Sequence, residues 1–339
     1  MIIDIHAHVF PPLSEASGYE SPEEHLKYIQ KLVSTCDHMI YEGPLPGPDE
    51  NVQLKVGKYG KIEWIKDGKK CFLRYLPPTV VDMSWPPEHM LAHMDWVGVD
   101  KAVLYQNHFY GRLNDYLADC VRKWPDRFAA VAQIDESRAS EESQLKELRR
   151  CIMTLGLKGL FFEVSQCPNI DNEDLFPLWD ELTYLKIPLI LELGRTRTAE
   201  QYLARVSKII KVLKKFPDLK VIISTMGSNI RDPKDPEYVD IPKKILNLIK
   251  LPNVWYEIGY LLGFDKFDEY PYPLAQKITK KAYKAVGADK LVWGSDMPML
   301  MRTCTYRQAI DFVRKHCNFL SEAEKDLVLG KNASKLLGI

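Results

Sequence analysis

The sequence predicts an α/β fold, a (β/α)8 TIM barrel with an insertion after its first strand. Two observations predict this fold. Short apolar runs of strand length alternate with amphipathic, helix-length stretches along most of the 339-residue chain, as in repeated βα units around a parallel sheet. The glycine-rich phosphate loops typical of open doubly wound sheets do not occur in the sequence, which favours closure into a barrel.

Eight candidate strands are mostly continuous apolar runs, as expected for strands that are covered on both faces. They are expected at residues 2–6, 101–106, 128–134, 158–164, 188–193, 220–224, 254–258 and 291–294. Between them, helices long enough for right-handed crossovers are expected at residues 113–123, 141–155, 175–185, 199–215 and 273–286. One barrel of this size needs no second core, so the sequence predicts a single domain over residues 1–339.

Residues 10–87 interrupt this rhythm directly after the first strand. They contain a helix-like stretch at 22–36, a segment rich in proline and glycine at 43–48 and a hairpin pattern at 61–75. Loops that follow barrel strands build the active-site face, so we expect the insertion to cover the mouth of the barrel. A decorative or oligomer-forming insertion is the equal alternative.

Composition and charge limit the partners. The 46 basic and 46 acidic side chains cancel, so no overall field attracts nucleic acid or an anionic membrane. No apolar run is long enough to span a membrane, and the first residues carry no export signal. The seven scattered cysteines form no CxxC pair, which argues against a disulfide framework. We therefore expect a cytoplasmic protein that acts on a small molecule, with a homo-oligomer left open.

A candidate metal site lies where the first and last predicted strands end. Side chains at positions i and i+2 share one face of a strand, so the imidazoles of His6 and His8 can converge on one ion. Asp296 follows the eighth strand, which adjoins the first in a closed barrel. A chance HxH pair and a helix N-cap at Asp296 are the structural alternatives. The three residues together favour a metal site.

Short motifs along almost the whole chain point to one family. They are DIHAH at 4–8, GVDKAVL at 98–104, PDRF at 125–128, GLKGL at 156–160, LFPLW at 175–179, LVWGSDMP at 291–298 and the terminal residues 332–339. In this order they resemble the amidohydrolase-related family of metal-dependent hydrolases, which includes aminocarboxymuconate-semialdehyde decarboxylase and the resorcylate-type decarboxylases. The resemblance implies a barrel with a mononuclear metal centre that His6, His8 and Asp296 hold.

Two positions depart from the family pattern. The metal-binding histidine that the family carries after strand five is Glu192 here, and the strand-six histidine that often polarises substrate is Thr225. A carboxylate can still ligate, so we expect His6, His8, Glu192 and Asp296 to surround one divalent ion of zinc, manganese or iron. Alternatively, Glu192 is a general base beside a three-ligand site. Loss of the metal is the least favoured outcome.

Other polar residues at predicted strand ends are candidates for catalysis or substrate binding. His108, after strand two, could supply acid/base chemistry that Thr225 cannot. Glu163 ends strand four, and Arg195 after strand five could hold a substrate carboxylate. A structural loop histidine and a solvated arginine are the alternatives. Thr225, Glu163 and Arg195 are thus expected to bind substrate.

The sequence favours hydrolysis by a metal-activated water acting on a small cyclic or carbonyl substrate. Asp296 is expected to transfer the proton, with His108 and Glu192 as helpers. The alternative, supported about as strongly by the resemblance, is nonoxidative decarboxylation of an aromatic or unsaturated acid. A non-catalytic binding barrel is the third possibility, and it predicts no bound metal.

Overall fold

The computed structural model describes the chain outside residues 37–38, 195, 197, 226–230, 233–234, 260–261 and 263–267, and of residues 225, 231–232 and 235–239 it describes the backbone. The strands are β1 (Ile3–Ala7), β2 (Ile40–Glu42), β3 (Lys55–Val56), β4 (Lys61–Lys66), β5 (Lys69–Arg74), β6 (Lys101–Leu104), β7 (Phe128–Ala130), β8 (Ala132–Gln133), β9 (Leu160–Glu163), β10 (Leu189–Glu192), β11 (Val221–Thr225), β12 (Arg231–Asp232), β13 (Asp235–Val239), β14 (Val254–Ile258) and β15 (Leu291–Trp293).

The helices alternate with these strands, as the sequence predicts. They are α1 (Pro22–Val33), α2 (Pro87–Val97), α3 (Asn114–Lys123), α4 (Glu142–Arg149), α5 (Phe176–Leu185), α6 (Ala199–Lys215), α7 (Lys243–Ile249), α8 (Pro273–Val286), α9 (Tyr306–Asp311), α10 (Glu322–Asp326) and α11 (Asn332–Leu337). The expected helix at 141–155 continues beyond α4 as a π-helical turn over Arg150–Thr154. Among the described residues, no helix is long and apolar enough to cross a membrane.

All eight predicted strands form, and every pairing between them is parallel. One sheet has the order β1-β6-β7 and the other the order β15-β14-β11-β10-β9-β8. The predicted third strand is split at Val131 into β7 and β8. The backbone N–H of Val131 donates to Leu104 O at the end of β6. At the other junction, β1 and β15 are joined by a parallel bridge between Ala7 and Met297. The parallel α/β architecture is confirmed, whereas a hydrogen-bonded ladder closed all the way round is not seen.

Apolar side chains from the parallel strands enclose a compact interior. Its buried members are Ile3, Ile5, Val103, Tyr105, Ala129, Val131, Phe161, Ile190, Ile222 and Val292, and Ala333, Leu336 and Leu337 of α11 complete it. Burying each large apolar side chain contributes about 1.5–3 kcal/mol. The strands therefore have a rigid base, and their carboxyl ends carry the polar residues.

Between β1 and β6 the chain builds α1, a four-stranded antiparallel sheet of order β2-β5-β4-β3, and α2. The predicted hairpin at 61–75 is β4 and β5, joined by Asp67 and Gly68, which both have positive φ as a tight two-residue turn requires. The ring centroid of Tyr75, at the end of this hairpin, lies 3.8 Å from the ring centroid of Phe109. Phe109 follows β6, so the insertion contacts the carboxyl end of that strand.

Candidate metal centre

His6, His8 and Asp296 form a buried cluster at the carboxyl ends of β1 and β15. One possible ligand atom from each lies within 4.8 Å of the other two. Asp296 Oδ1 is 3.0 Å from His8 Nε2 and 3.4 Å from His6 Nε2. Of the predicted ligands, these three are brought together.

A bulge in β1 aims the two histidines. Asp4 pairs with Ala102 and Ala7 with Leu104, so three steps along β1 match two along β6. A bulge inserts one extra residue and redirects the side chains that follow it. Ile5 can therefore join the apolar interior while the next side chain, His6, also packs inward with its ring 4.4 Å from that of Tyr105.

Asp296 is held against β1 by its own backbone. It has a φ of 63°, a left-handed conformation that aspartate tolerates better than most residues. Its N–H donates to His6 O at 2.8 Å, and His8 N donates to Met297 O at 2.8 Å. These two bonds fix the carboxylate beside both imidazoles.

Asp4, the first residue of the DIHAH motif, fastens the same junction from behind. Its carboxylate accepts hydrogen bonds from Ser295 N at 2.8 Å, Ser295 Oγ at 2.5 Å and Tyr306 Oη at 2.7 Å. Burial raises the pKa of Asp4 to about 6, against the effect of these hydrogen bonds. Asp4 is therefore a structural residue that sets the position of the Asp296 loop.

Both imidazoles are oriented by acceptors at their second nitrogen. His6 Nδ1 donates to Glu257 Oε1 at 2.9 Å, and His8 Nδ1 donates to the backbone oxygen of Tyr105 at 2.5 Å. Burial lowers the pKa of His6 to about 3, so its ring is neutral. With the protons on Nδ1, each Nε2 presents a lone pair, which is the arrangement that metal-binding histidines use.

The separations and the chemistry of these atoms fit a divalent ion. Ligand bonds of about 2.1 Å place neighbouring ligand atoms about 3.0 Å apart at right angles and about 3.4 Å apart at tetrahedral angles. The observed distances of 3.0 and 3.4 Å agree with this range. Two imidazoles and one carboxylate suit zinc, manganese or iron.

Sequence reasoning missed Glu257. It lies in β14 in the otherwise apolar run Val254–Ile258 and is 1% exposed. Burial raises the pKa of Glu257 well above its usual range. A lone carboxylate at the carboxyl end of a buried strand was the available signal, because burying such a group without a partner is costly.

The remaining predicted residues of strands five and six are Glu192, Arg195 and Thr225. Glu192 ends β10, is half-buried and lies outside the cluster of three. Its backbone pairs with Glu163 of β9 on one side and with Thr225 of β11 on the other. The side chain of Thr225 and all of Arg195 lie outside the described residues.

His108 and Glu163 belong to a second buried polar cluster, at the ends of β6, β8 and β9. His108 Nε2 donates to Glu136 Oε2 at 2.5 Å, and Glu136 was not anticipated from the sequence. Burial raises the pKa of Glu163, and Ser165 Oγ donates to its Oε1. The carboxyl ends of the strands thus carry the cluster of three at β1 and β15 and an acid/base cluster at β6, β8 and β9.

Comparison with known proteins finds a matching family model and a curated relative. A family model described as Amidohydrolase matches residues 3–339. A curated relative, the 2-amino-3-carboxymuconate-6-semialdehyde decarboxylase of Dictyostelium discoideum, is 26% identical over 247 residues, and the match covers 67% of this chain and 66% of the relative. The chain therefore spans just under two thirds of that relative's length.

Two solved structures show the same fold. A probable 2-pyrone-4,6-dicarboxylic acid hydrolase from Acinetobacter baumannii, with citric acid bound, matches with a TM-score of 0.61 and 20% identity over 100% of this chain and 99% of its own. A dihydroxybenzoic acid decarboxylase from a Polaromonas species, with manganese and 2-nitroresorcinol bound, matches with a TM-score of 0.55 and 19% identity over 74% of this chain and 85% of its own.

Proposed function

The chain belongs to the amidohydrolase family, and we propose that it is a nonoxidative decarboxylase, a carboxy-lyase acting on an aromatic or unsaturated acid. One observation carries the proposal: His6, His8 and Asp296 form a buried donor set that could hold one divalent ion. The Dictyostelium decarboxylase favours this reaction over hydrolysis, which the sequence alone placed first. Hydrolysis becomes the competing outcome of the experiment below.

His6, His8 and Asp296 would hold the ion, with Glu192 as the proposed fourth ligand at the end of β10. When bound, the ion would act as a Lewis acid toward the oxygens of a substrate carboxylate. Glu257 and the backbone of Tyr105 keep the imidazole protons on Nδ1, so both rings stay aimed at the ion.

Substrate recognition is proposed at the neighbouring strand ends. Because burial raises the pKa of Glu163, its carboxyl group can both donate and accept hydrogen bonds to a hydroxyl or amino substituent. Arg195 and Thr225 are proposed to contact the substrate carboxylate from the ends of strands five and six. Such contacts would orient the acid beside the ion.

We also propose that the two parallel sheets form one closed barrel and that residues 10–87 cover its mouth. Asp296 N and His8 N bridge one junction, and Val131 N bridges the other. His25 Nε2 of α1 donates to Phe109 O at 2.9 Å, and Gln166 Nε2 donates to Tyr28 Oη at 3.1 Å. The insertion therefore contacts the loops that follow β6 and β9, where a cover has to lie.

Isotope labelling tests the proposed reaction. The protein loaded with manganese, the ion in the Polaromonas structure, is incubated with aromatic acids that carry a hydroxyl or amino group next to the carboxylate. In D₂O, decarboxylation releases CO₂ and places deuterium on the carbon that lost it. In H₂¹⁸O, hydrolysis places the label in the product instead, which would overturn the proposal. His6→Ala serves as the metal-deficient control and His89→Ala as the matched histidine control on α2.

A further inference from the structure

Three segments meet in the second buried cluster. His108 follows β6, Glu136 follows β8 and Glu163 ends β9, so all three lie at the same end of the parallel strands as the metal centre. The side chains of His108 and Glu136 are 6% and 0% exposed, and their hydrogen bond is 2.5 Å long. The proposed metal-centre functions use neither His108 nor Glu136.

Glu136 is held in one orientation. Its Oε1 accepts hydrogen bonds from Glu163 N at 3.2 Å and from Gln133 Nε2 at 3.3 Å, while Oε2 accepts from His108 Nε2. Among the residues that the structure describes, the buried Gln133 Oε1 has no hydrogen-bond partner. Three donors on one buried carboxylate fix the imidazole through a short, charge-assisted bond.

The other ring nitrogen of His108 is free to react. Within the part of the chain that the structure describes, Nδ1 of this residue makes no hydrogen bond. The ring of Tyr28 in α1 lies 5.3 Å from the imidazole ring, and Tyr19 Oη donates to the backbone oxygen of His108 at 3.2 Å. The insertion therefore helps to shield the imidazole and leaves Nδ1 able to carry a transferable proton.

The surrounding charges favour the imidazolium. Burial alone would lower the pKa of His108, but Glu136, by charge and hydrogen bond, together with Glu163 and Asp135, raises it. Two described cations act on this cluster: Arg112 pairs with Asp135 at 3.2 Å, and Arg205 interacts electrostatically with Glu163. Tyr19 and Tyr28 of the insertion also lie against His108, and Cys167 interacts electrostatically with Glu136.

We infer that His108 is the general acid of this site and that Glu136 is the positioning residue that holds it in its protonated form. The inference rests on the proposed decarboxylation. The proton on His108 Nδ1 adds to the carbon that bears the carboxylate, forming a C–H bond. The electron pair of the breaking C–C bond returns to the ring or unsaturated system, and CO₂ leaves. Neutral His108 then regains a proton from solvent.

With His108 as the acid, Asp296 binds the metal and does not also have to transfer the proton. Asp296 Oδ1 lies at the point shared by both imidazoles, and a metal ligand has to stay deprotonated. His108 follows β6 and is not one of the proposed ligands, so a change in its protonation state alters no ligand atom. The sequence had assigned proton transfer to Asp296, with His108 as a helper.

The test compares Glu136→Gln, which keeps the shape but removes the charge, with Glu141→Gln, an exposed glutamate paired with Arg138. NMR titration of ¹³C-labelled histidine measures the pKa of His108 without turnover. We expect Glu136→Gln to lower it by about one to three units, with manganese content close to wild type. Glu141→Gln should leave it unchanged. An unchanged His108 titration in Glu136→Gln would overturn the positioning role.

Turnover of the substrate found by isotope labelling tests the catalytic role. His108→Gln should lower kcat by about 10²- to 10⁴-fold with the metal retained. The high-pH limb of kcat, where the acid loses its proton, should move to lower pH in Glu136→Gln, and Glu136→Asp should restore part of the wild-type profile. Near-normal kcat in His108→Gln overturns the inference while decarboxylation stands. Incorporation of ¹⁸O by the wild type overturns the proposed reaction. A pH profile of kcat that is the same in Glu136→Gln as in the wild type overturns the positioning role of Glu136, whichever reaction is found.

Discussion

His6 Nδ1 donates a 2.9 Å hydrogen bond to Glu257 Oε1 across 251 residues of sequence. This bond joins β1 to β14 below the metal centre, where Glu257 is fully buried. It fixes the tautomer of His6, so that Nε2 rather than Nδ1 faces Asp296 and His8. The geometry of the metal centre therefore depends on Glu257, whose Oε1 binds His6 and is not a proposed metal ligand.

We expect Glu257→Gln to weaken metal binding by about 10- to 100-fold, the usual effect of removing a carboxylate that supports a histidine ligand. Isothermal titration of the metal-free protein with Mn²⁺ measures it. Tyr256→Phe is the matched control, because the neighbouring Tyr256 hydroxyl is buried and has no hydrogen-bond partner in the described part of the chain. Equal affinities for Glu257→Gln and wild type would rule out the supporting role.

Glu192 is expected to be the fourth ligand. Glu192→Ala should then lower the affinity for Mn²⁺ by at least about tenfold, whereas Glu192→His, which supplies another metal-binding side chain, should retain most of it. Metal titration and elemental analysis of both variants check this. If Glu192→Ala binds the ion as tightly as wild type but loses turnover, Glu192 acts on substrate or protons instead.

The Asp4 network predicts a specific loss of stability. Tyr306→Phe removes one buried hydrogen bond to the Asp4 carboxylate, and we expect a cost of about 1–2 kcal/mol in the free energy of unfolding. Denaturant titration measures it. Tyr283→Phe makes the same chemical change at a more exposed bond to Glu324 and should cost less. Equal losses in the two variants would show that the network adds nothing beyond an ordinary hydrogen bond.

The proposed cover predicts a change in substrate affinity. Tyr28→Phe removes the hydrogen bond from Gln166 that ties α1 to the loop after β9. Losing a bond worth about 1 kcal/mol should raise KM about fivefold, with the melting temperature nearly unchanged. Tyr41→Phe, on the exposed strand β2, should leave KM as it is. An unaltered KM in Tyr28→Phe would argue against a cover at this position.

The sequence predicted the parallel strands and part of the site for a clear physical reason. Buried parallel strands are continuous apolar runs, and the i, i+2 spacing of His6 and His8 is a local property of one strand. Asp296 could be added because the last strand of a barrel adjoins the first. These inferences need only strand order and spacing.

The supporting residues depend on contacts between distant segments. Glu257 lies in an apolar strand and Glu136 begins a short 3₁₀ turn, and the neighbours of neither residue indicate that it will face a histidine. The bulge in β1 and the break at Val131 are likewise tertiary adjustments that no local pattern specifies. Pairings such as His108 with Glu136 therefore became visible only when the strand ends were brought together.

The proposed chemistry depends most on one ion at His6, His8 and Asp296. The direct measurement is anomalous diffraction from crystals grown with Mn²⁺, recorded above and below the manganese absorption edge. We predict one anomalous peak about 2.0–2.4 Å from His6 Nε2, His8 Nε2 and an oxygen of Asp296. Absence of a peak between these three side chains at saturating Mn²⁺, or a peak held by other residues, would contradict the account.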